Sequence, residues 1–131
     1  MSKVFYNKLV RDNIEKKITS QGEQCAVRKI SDDAEFQQEL LKKIREEATA
    51  LSHVRTRTDF LDEYADLMVV LDALTATMGF SEADVQVAIE ENVKKKGLYN
   101  EKHFLCWSDD TDYISNETPQ GIKEVDIRDE K

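Results

Sequence analysis

AEFQQELLKKIREEATALSHVRTRTDFLDEYADLMVVLDALTATM, residues Ala34 to Met78, holds two apolar runs with helical spacing and a short polar break between them. In the first run Phe36, Leu40, Ile44, Ala48 and Leu51 recur every three or four residues, which puts them on one side of an α-helix. Ser31-Asp32-Asp33 just ahead offers side-chain oxygens to the unpaired amides of a helix start, so the spacing predicts a helix from about Ala34 to Val54. The polar link Arg55-Thr56-Arg57-Thr58 follows, and Asp59 is placed to cap the next start. From Phe60 to Met78 apolar residues fall at nearly every angle, which predicts a helix enclosed at the centre of a bundle. Two long helices joined by so short a link run antiparallel.

Outward from this pair, Gly79 is positioned to end the second helix. Ser81 with Asp84 makes a reciprocal capping pattern ahead of a third helix, from about Glu82 to Lys96, which Gly97 closes. Toward the N-terminus, Asp12 to Ser20 suits a short helix stopped at Gln21-Gly22, while Cys25 to Ile30 and the stretch near Phe5 suit short extended segments. The expected fold is therefore all-α: an antiparallel helical bundle over residues 1–107, with at most short β segments near the N-terminus. From Ser108 on the chain is acidic, poor in large apolar residues and carries the only Pro, so residues 108–131 read as an irregular tail. Ile114, Ile122, Val125 and Ile127 offer it a means of docking on a neighbouring subunit.

A chain of 131 residues with four Gly and no repeated segment has the length of one domain, enough to bury a core without disulfides or a structural metal. Cys25 and Cys106 lie far apart with no zinc-like spacing, and read as reduced thiols of a cytoplasmic protein. The opening MSKVFYNKLVRDN is too polar for a signal peptide, and no window reaches the ~20 apolar residues of a membrane span. A net charge of −8 argues against a nucleic-acid surface, which needs clustered bases over one face.

The informative residues are acids in apolar surroundings. At 100° per residue Glu47 points within about 50° of the centre of the Leu40, Ile44 and Leu51 stripe, whereas Glu46 points largely away from it. On the second helix Glu63 and Asp66 share a face among Phe60, Leu67, Val70 and Leu74. A carboxylate among aliphatic side chains costs several kcal/mol unless protonated, paired or bound to a cation. Three acids converging between two helices repel one another, and a divalent ion is the simplest way to keep them charged. Oxygen-only ligands suit Mg²⁺ or Mn²⁺, which points to phosphoryl chemistry. The bland alternative makes them ordinary salt-bridge partners of Lys42, Lys43 or Arg45.

With these residues in view the sequence resembles the MazG-like all-α nucleoside triphosphate pyrophosphohydrolases, a superfamily that also includes phosphoribosyl-ATP pyrophosphohydrolase and dimeric dUTPases. Glu46-Glu47, followed sixteen residues after Glu47 by Glu63-Tyr-Ala-Asp66, is similar to the family's EExxE…ExxD signature. Tyr6-Asn-Lys8-Leu-Val-Arg11-Asp12 resembles the YNKLVRDKI opening of one subgroup. Lys94-Lys95-Lys96-Gly97-Leu98-Tyr99 with Lys102 stands where that subgroup has a K…RGGF..R segment. One position departs from the pattern: the acid expected three residues after Glu47 is Ala50. The resemblance implies Mg²⁺ ligation by Glu47, Glu63 and Asp66, and a dimer or tetramer with active sites completed by a neighbour's basic residues. Weaker metal binding, a different number of ions and lost catalysis are the consequences that Ala50 leaves open.

The implied reaction is hydrolysis of a nucleoside triphosphate to monophosphate and pyrophosphate, with Glu47 or Glu63 as the base that takes the water's proton. Lys8 and Arg11, with Lys95, Lys96 and Lys102 near the end of the last helix, form a basic set for phosphate charge that the metal does not reach. The plain alternative for those lysines is pairing with a helix C-terminus. Asn92 is assigned to phosphate or base by analogy with family members, Tyr99 to base stacking or the core, and Phe104 to the core. His53 and His103 lack partners at a telling spacing. Competing readings are a phosphoribosyl-ATP pyrophosphohydrolase, a degenerate relative that binds nucleotide or protein without turnover, and a structural helical scaffold.

Overall fold

The computed structural model describes residues 2–109, with helices α1 (Ile14–Ser20), α2 (Asp33–Ser52), α3 (Arg57–Thr77) and α4 (Glu82–Lys96). Side-chain oxygens start α2, α3 and α4, and left-handed glycines follow α3 and α4. The Asp32 carboxylate accepts from the Ala34 amide and starts α2. Thr56, rather than the expected Asp59, caps α3. Its hydroxyl accepts from the Asp59 amide at 3.1 Å, which leaves Asp59 in the first turn, where its charge favours the helix dipole. At the far end Gly79, at φ +85°, allows the Phe80 amide to reach the Thr75 carbonyl and its own amide to reach Ala76, the paired closure that favours glycine. Ser81 and Asp84 make the expected reciprocal cap of α4: each backbone amide donates to the other's side chain, at 2.9 and 3.1 Å.

Cys25 to Ile30 and the stretch around Phe5 are irregular, and the described residues contain no strand. The fold is all-α. Its described residues fall into two units, one running to Lys95 and one starting at Lys96, and each is described by itself.

Within the first unit, α2 and α3 are the helices that pack extensively on each other, and their short connection makes them an antiparallel hairpin. Its interior is Leu40, Val70 and Leu74, with 3, 5 and 9 % of their surface exposed, flanked by Leu9, Phe36, Ile44 and Ala73. On α2 these are positions that the three- and four-residue spacing selects, Phe36, Leu40 and Ile44. The opposite flank of α3 differs from the expectation of a fully enclosed helix. Leu61, Tyr64, Met68 and Val69 are exposed because α2 covers only one side. On α4 no residue is buried, and Val87 and Ile89 are half exposed. No described helix is long and apolar enough to cross a membrane.

In the second unit a turn joins the Lys102 amide to the Tyr99 carbonyl at 3.0 Å, with Lys102 in the left-handed region at φ +55°. Tyr99 and Trp107 are exposed, and so is Phe104 at 87 %, which corrects its assignment to the core. No described element covers its ring. Residues 110–131, including Ile114, Ile122, Val125 and Ile127, lie outside the described residues.

Candidate functional site

Beyond its apolar interior, the α2–α3 seam turns acidic. Glu47 lies on the same face of α2 as Leu40 and Ile44, and Glu63 and Asp66 lie on the face of α3 that carries Val70 and Leu74. One carboxylate oxygen from each of Glu47, Glu63 and Asp66 lies within 4.8 Å of the other two. All three residues are partly buried. Octahedral Mg²⁺ holds oxygens at about 2.1 Å, with neighbouring ligand oxygens about 3.0 Å apart, so side-chain adjustments of about an ångström bring these three to a common ion. The donor set of carboxylates without sulfur or imidazole suits the same class of cation. The residues present thus fit a divalent hard ion.

Electrostatics distinguish the three. Removal from water raises the Glu63 carboxyl above the ordinary carboxylate range, and the charges of Asp66, Glu47, Asp62 and Asp59 push the same way. Among the described residues Glu63 has no ion-pair partner, while Lys43 Nζ stands 3.6 Å from Glu47 and Arg11 Nη1 stands 3.6 Å from Asp66. Both pairs are long, at the loose end of direct ion pairing.

Glu46 behaves as the rotation predicts. It points outward, with 42 % of its side chain exposed against 13 % for Glu47, and binds Lys8 and Lys43 at 3.0 Å each, one through each oxygen. Partial removal from water works to raise its carboxyl, but hydrogen bonds from Lys8 and Lys43 outweigh that and hold it below its ordinary value. It is a holder of bases rather than a member of the acid cluster.

The N-terminal segment supplies two of those bases. Leu9 packs against the hairpin interior, and this anchor brings Lys8 to Glu46 and Arg11 to Asp66. Asn7, in the left-handed region at φ +47°, bends the chain just before it, a conformation that Asn tolerates better than most residues. Lys8, Arg11, Asp12, Asn13, Lys43, Glu47 and Asp66 line a hollow of about 590 Å³, within the usual range for small-ligand pockets.

The structure therefore brings together Lys8, Arg11, Glu47, Glu63 and Asp66. Asn92 is exposed and lines a different hollow, with Phe80, Asp84 and Val85 among its neighbours. Lys95 is exposed near the end of α4, and Lys96, Tyr99 and Lys102 belong to the second unit. Sequence reasoning treated Lys43 only as an ordinary salt-bridge partner. Its spacing of three from Glu46 and four from Glu47 was the available signal, since both intervals place side chains within reach on a helix. Compared with known proteins, the chain matches no family model, no curated protein and no solved structure.

Proposed function

We propose that this chain is a divalent-metal-dependent pyrophosphohydrolase that converts nucleoside triphosphates to monophosphate and pyrophosphate. The observation that carries the reading is the convergence of Glu47, Glu63 and Asp66 from facing helices within 4.8 Å, beside a hollow that also holds Lys8, Arg11 and Lys43. The resemblance of these same residues to the MazG-like signature adds support. Glu47, Glu63 and Asp66 would hold Mg²⁺ or Mn²⁺. When bound, the ion supplies neutralisation of phosphate charge and activation of water.

The chain's own groups carry the rest. Lys8 and Arg11, with Lys43, meet phosphate charge at the rim and orient the triphosphate for in-line attack. A water oxygen forms a bond to the α-phosphorus, the bridging bond from that phosphorus to the β-phosphate oxygen breaks, and pyrophosphate leaves with the bond's electron pair. The water's proton goes to a carboxylate oxygen. Glu63 is the better placed acceptor, because among the described residues no base pairs with it, whereas Lys43 stands 3.6 Å from Glu47.

A second reading has its own observations: Ala50 stands where the signature carries an acid, and Lys43 and Arg11 are paired with Glu47 and Asp66. On that reading the chain binds nucleotide without turnover. Pyrophosphate release from a panel of triphosphates with Mg²⁺ or Mn²⁺ separates the two. Turnover by the wild type, reduced on the order of a thousandfold in Glu63→Gln, is the expected result. Turnover seen only in Ala50→Glu favours the binding protein, and none in either variant or the wild type removes the enzyme.

The same proposal includes a homodimer or homotetramer in the cytoplasm. The exposed apolar flank of α3 and the half-exposed apolar residues of α4 support self-association, and two free exposed thiols suit a reducing compartment. Light scattering at micromolar concentration is expected to give at least twice the 15.1 kDa mass of one chain.

A further inference from the structure

Two acids of the cluster already face a cation from the chain itself, and the more enclosed of these is Lys43. Its side chain is 13 % exposed, as is that of Glu47, whereas Arg11 is 54 % exposed. Lys43 Nζ is shared unequally: 3.0 Å from Glu46 Oε2 and 3.6 Å from Glu47 Oε1. An ammonium so close to Glu47 repels any second cation that Glu47 helps to hold. Glu46 offers it somewhere to go, because its other oxygen already holds Lys8 at the rim of the hollow. Five acids, Asp12, Glu46, Glu47, Glu63 and Asp66, meet three bases, Lys8, Arg11 and Lys43, so the pocket and its rim carry a formal excess of two negative charges. A divalent cation cancels that excess, and the acids then no longer oppose the approach of a polyanion to the three bases.

We propose that Lys43 is the internal counter-ion of the acid cluster, displaced from Glu47 when a divalent cation binds and thereby released, still tethered through Glu46, to take phosphate oxygens. Metal loading is then the event that readies the basic rim for polyphosphate. By reciprocity, a polyphosphate that draws Lys43 outward tightens the metal. This inference rests on the metal-centre reading given above.

The test uses the full chain and two probes, Mn²⁺ alone and inorganic tripolyphosphate added at saturating Mn²⁺, each followed by calorimetry, with paramagnetic resonance of Mn²⁺ as a second readout. Lys43→Met keeps the aliphatic stem and removes the charge. It is expected to bind Mn²⁺ about fivefold more tightly, the upper end for loss of a competing ion pair of this kind. It is expected to bind tripolyphosphate about tenfold more weakly, the value of one charge-assisted contact. Lys43→Arg retains the wild-type pattern. Opposite signs for metal and anion are the signature, since a lysine that merely supported packing would weaken both on removal. Unchanged or weakened Mn²⁺ binding in Lys43→Met overturns the proposal, as does unchanged anion binding. If Mn²⁺ binds the wild type through Glu63 while Lys43→Met is indifferent, the counter-ion role alone falls. If Mn²⁺ binds neither protein, the metal centre falls and takes this inference with it.

Discussion

The α2–α3 hairpin and α4 both mix charged with apolar residues, yet they are held in different ways. In the hairpin Leu40, Val70 and Leu74 are enclosed by one another and by Leu9, Phe36, Ile44 and Ala73. On α4 nothing is buried, and the helix begins on a reciprocal cap between Ser81 and Asp84. The consequence for chemistry is direct. Glu90 and Glu91 on α4 are exposed, as ordinary helix acids are, whereas Glu47, Glu63 and Asp66 are drawn into a seam where each costs free energy unless something compensates. The packing that encloses one end of the hairpin gathers like charges at the other.

Removing the enclosure should produce the largest effect. Leu40→Ala takes three carbon atoms from the middle of the seam, where the residue is 3 % exposed, and is expected to lower stability by about 3 kcal/mol. Urea unfolding followed by circular dichroism measures it. A loss below about 1 kcal/mol would mean that the hairpin interior matters no more than the surface of α4.

Next comes the acidic end, where stability and function pull apart. Glu63 binds its proton more tightly in the folded chain than in the unfolded one, since burial and neighbouring acids raise its carboxyl. Its contribution therefore favours the fold below the ordinary carboxylate range and is lost as pH rises through the raised value. Glu63→Gln has no charge to lose. In chelator at pH 7 it is expected to melt slightly above the wild type, with the gap closing as pH falls to about 4. With Mn²⁺ the order reverses: the wild type gains stability on binding, and the variant, with affinity reduced on the order of a hundredfold, gains little. Differential scanning calorimetry with and without Mn²⁺ at the two pH values distinguishes this from a plain loss of packing, which would lower the melting temperature under every condition.

The hairpin was legible in the sequence because the residues that decide it act locally. Phe36, Leu40 and Ile44 repeat at helical spacing, Asp32 is a good cap, and Glu47 falls on the apolar stripe by rotation alone. Convergence of Glu47 with Glu63 and Asp66 followed from the same arithmetic applied to two helices joined by a short link. What escaped was nonlocal. That Leu9 docks on the hairpin and delivers Lys8 and Arg11 depends on the path of an irregular segment, which no periodicity encodes. Thr56 took the cap from Asp59 because both have capping oxygens, and the choice turned on the extended backbone at Thr56. Phe104 was expected in the core on hydrophobicity alone, yet an aromatic ring is buried only where packed elements enclose it.

The smallest expected effect tests the other side of the comparison. Ser81→Ala removes the hydroxyl that accepts from the Asp84 amide at 3.1 Å, and leaves in place the return bond from the Ser81 amide to the Asp84 carboxylate. Loss of one half of such a cap costs about 1 kcal/mol. In the hairpin a change of that size would be shared by every residue, because α2 and α3 unfold with their common interior. α4 lacks a buried residue to couple it to that interior, so the loss should remain local. Amide hydrogen exchange is expected to quicken about fivefold from Val85 through Ile89 while the amides around Leu40 and Val70 keep their wild-type rates. Equal acceleration in both regions would mean that α4 is part of the same cooperative unit as the hairpin, and the contrast between a helix held by its cap and helices held by their enclosure would have to be given up.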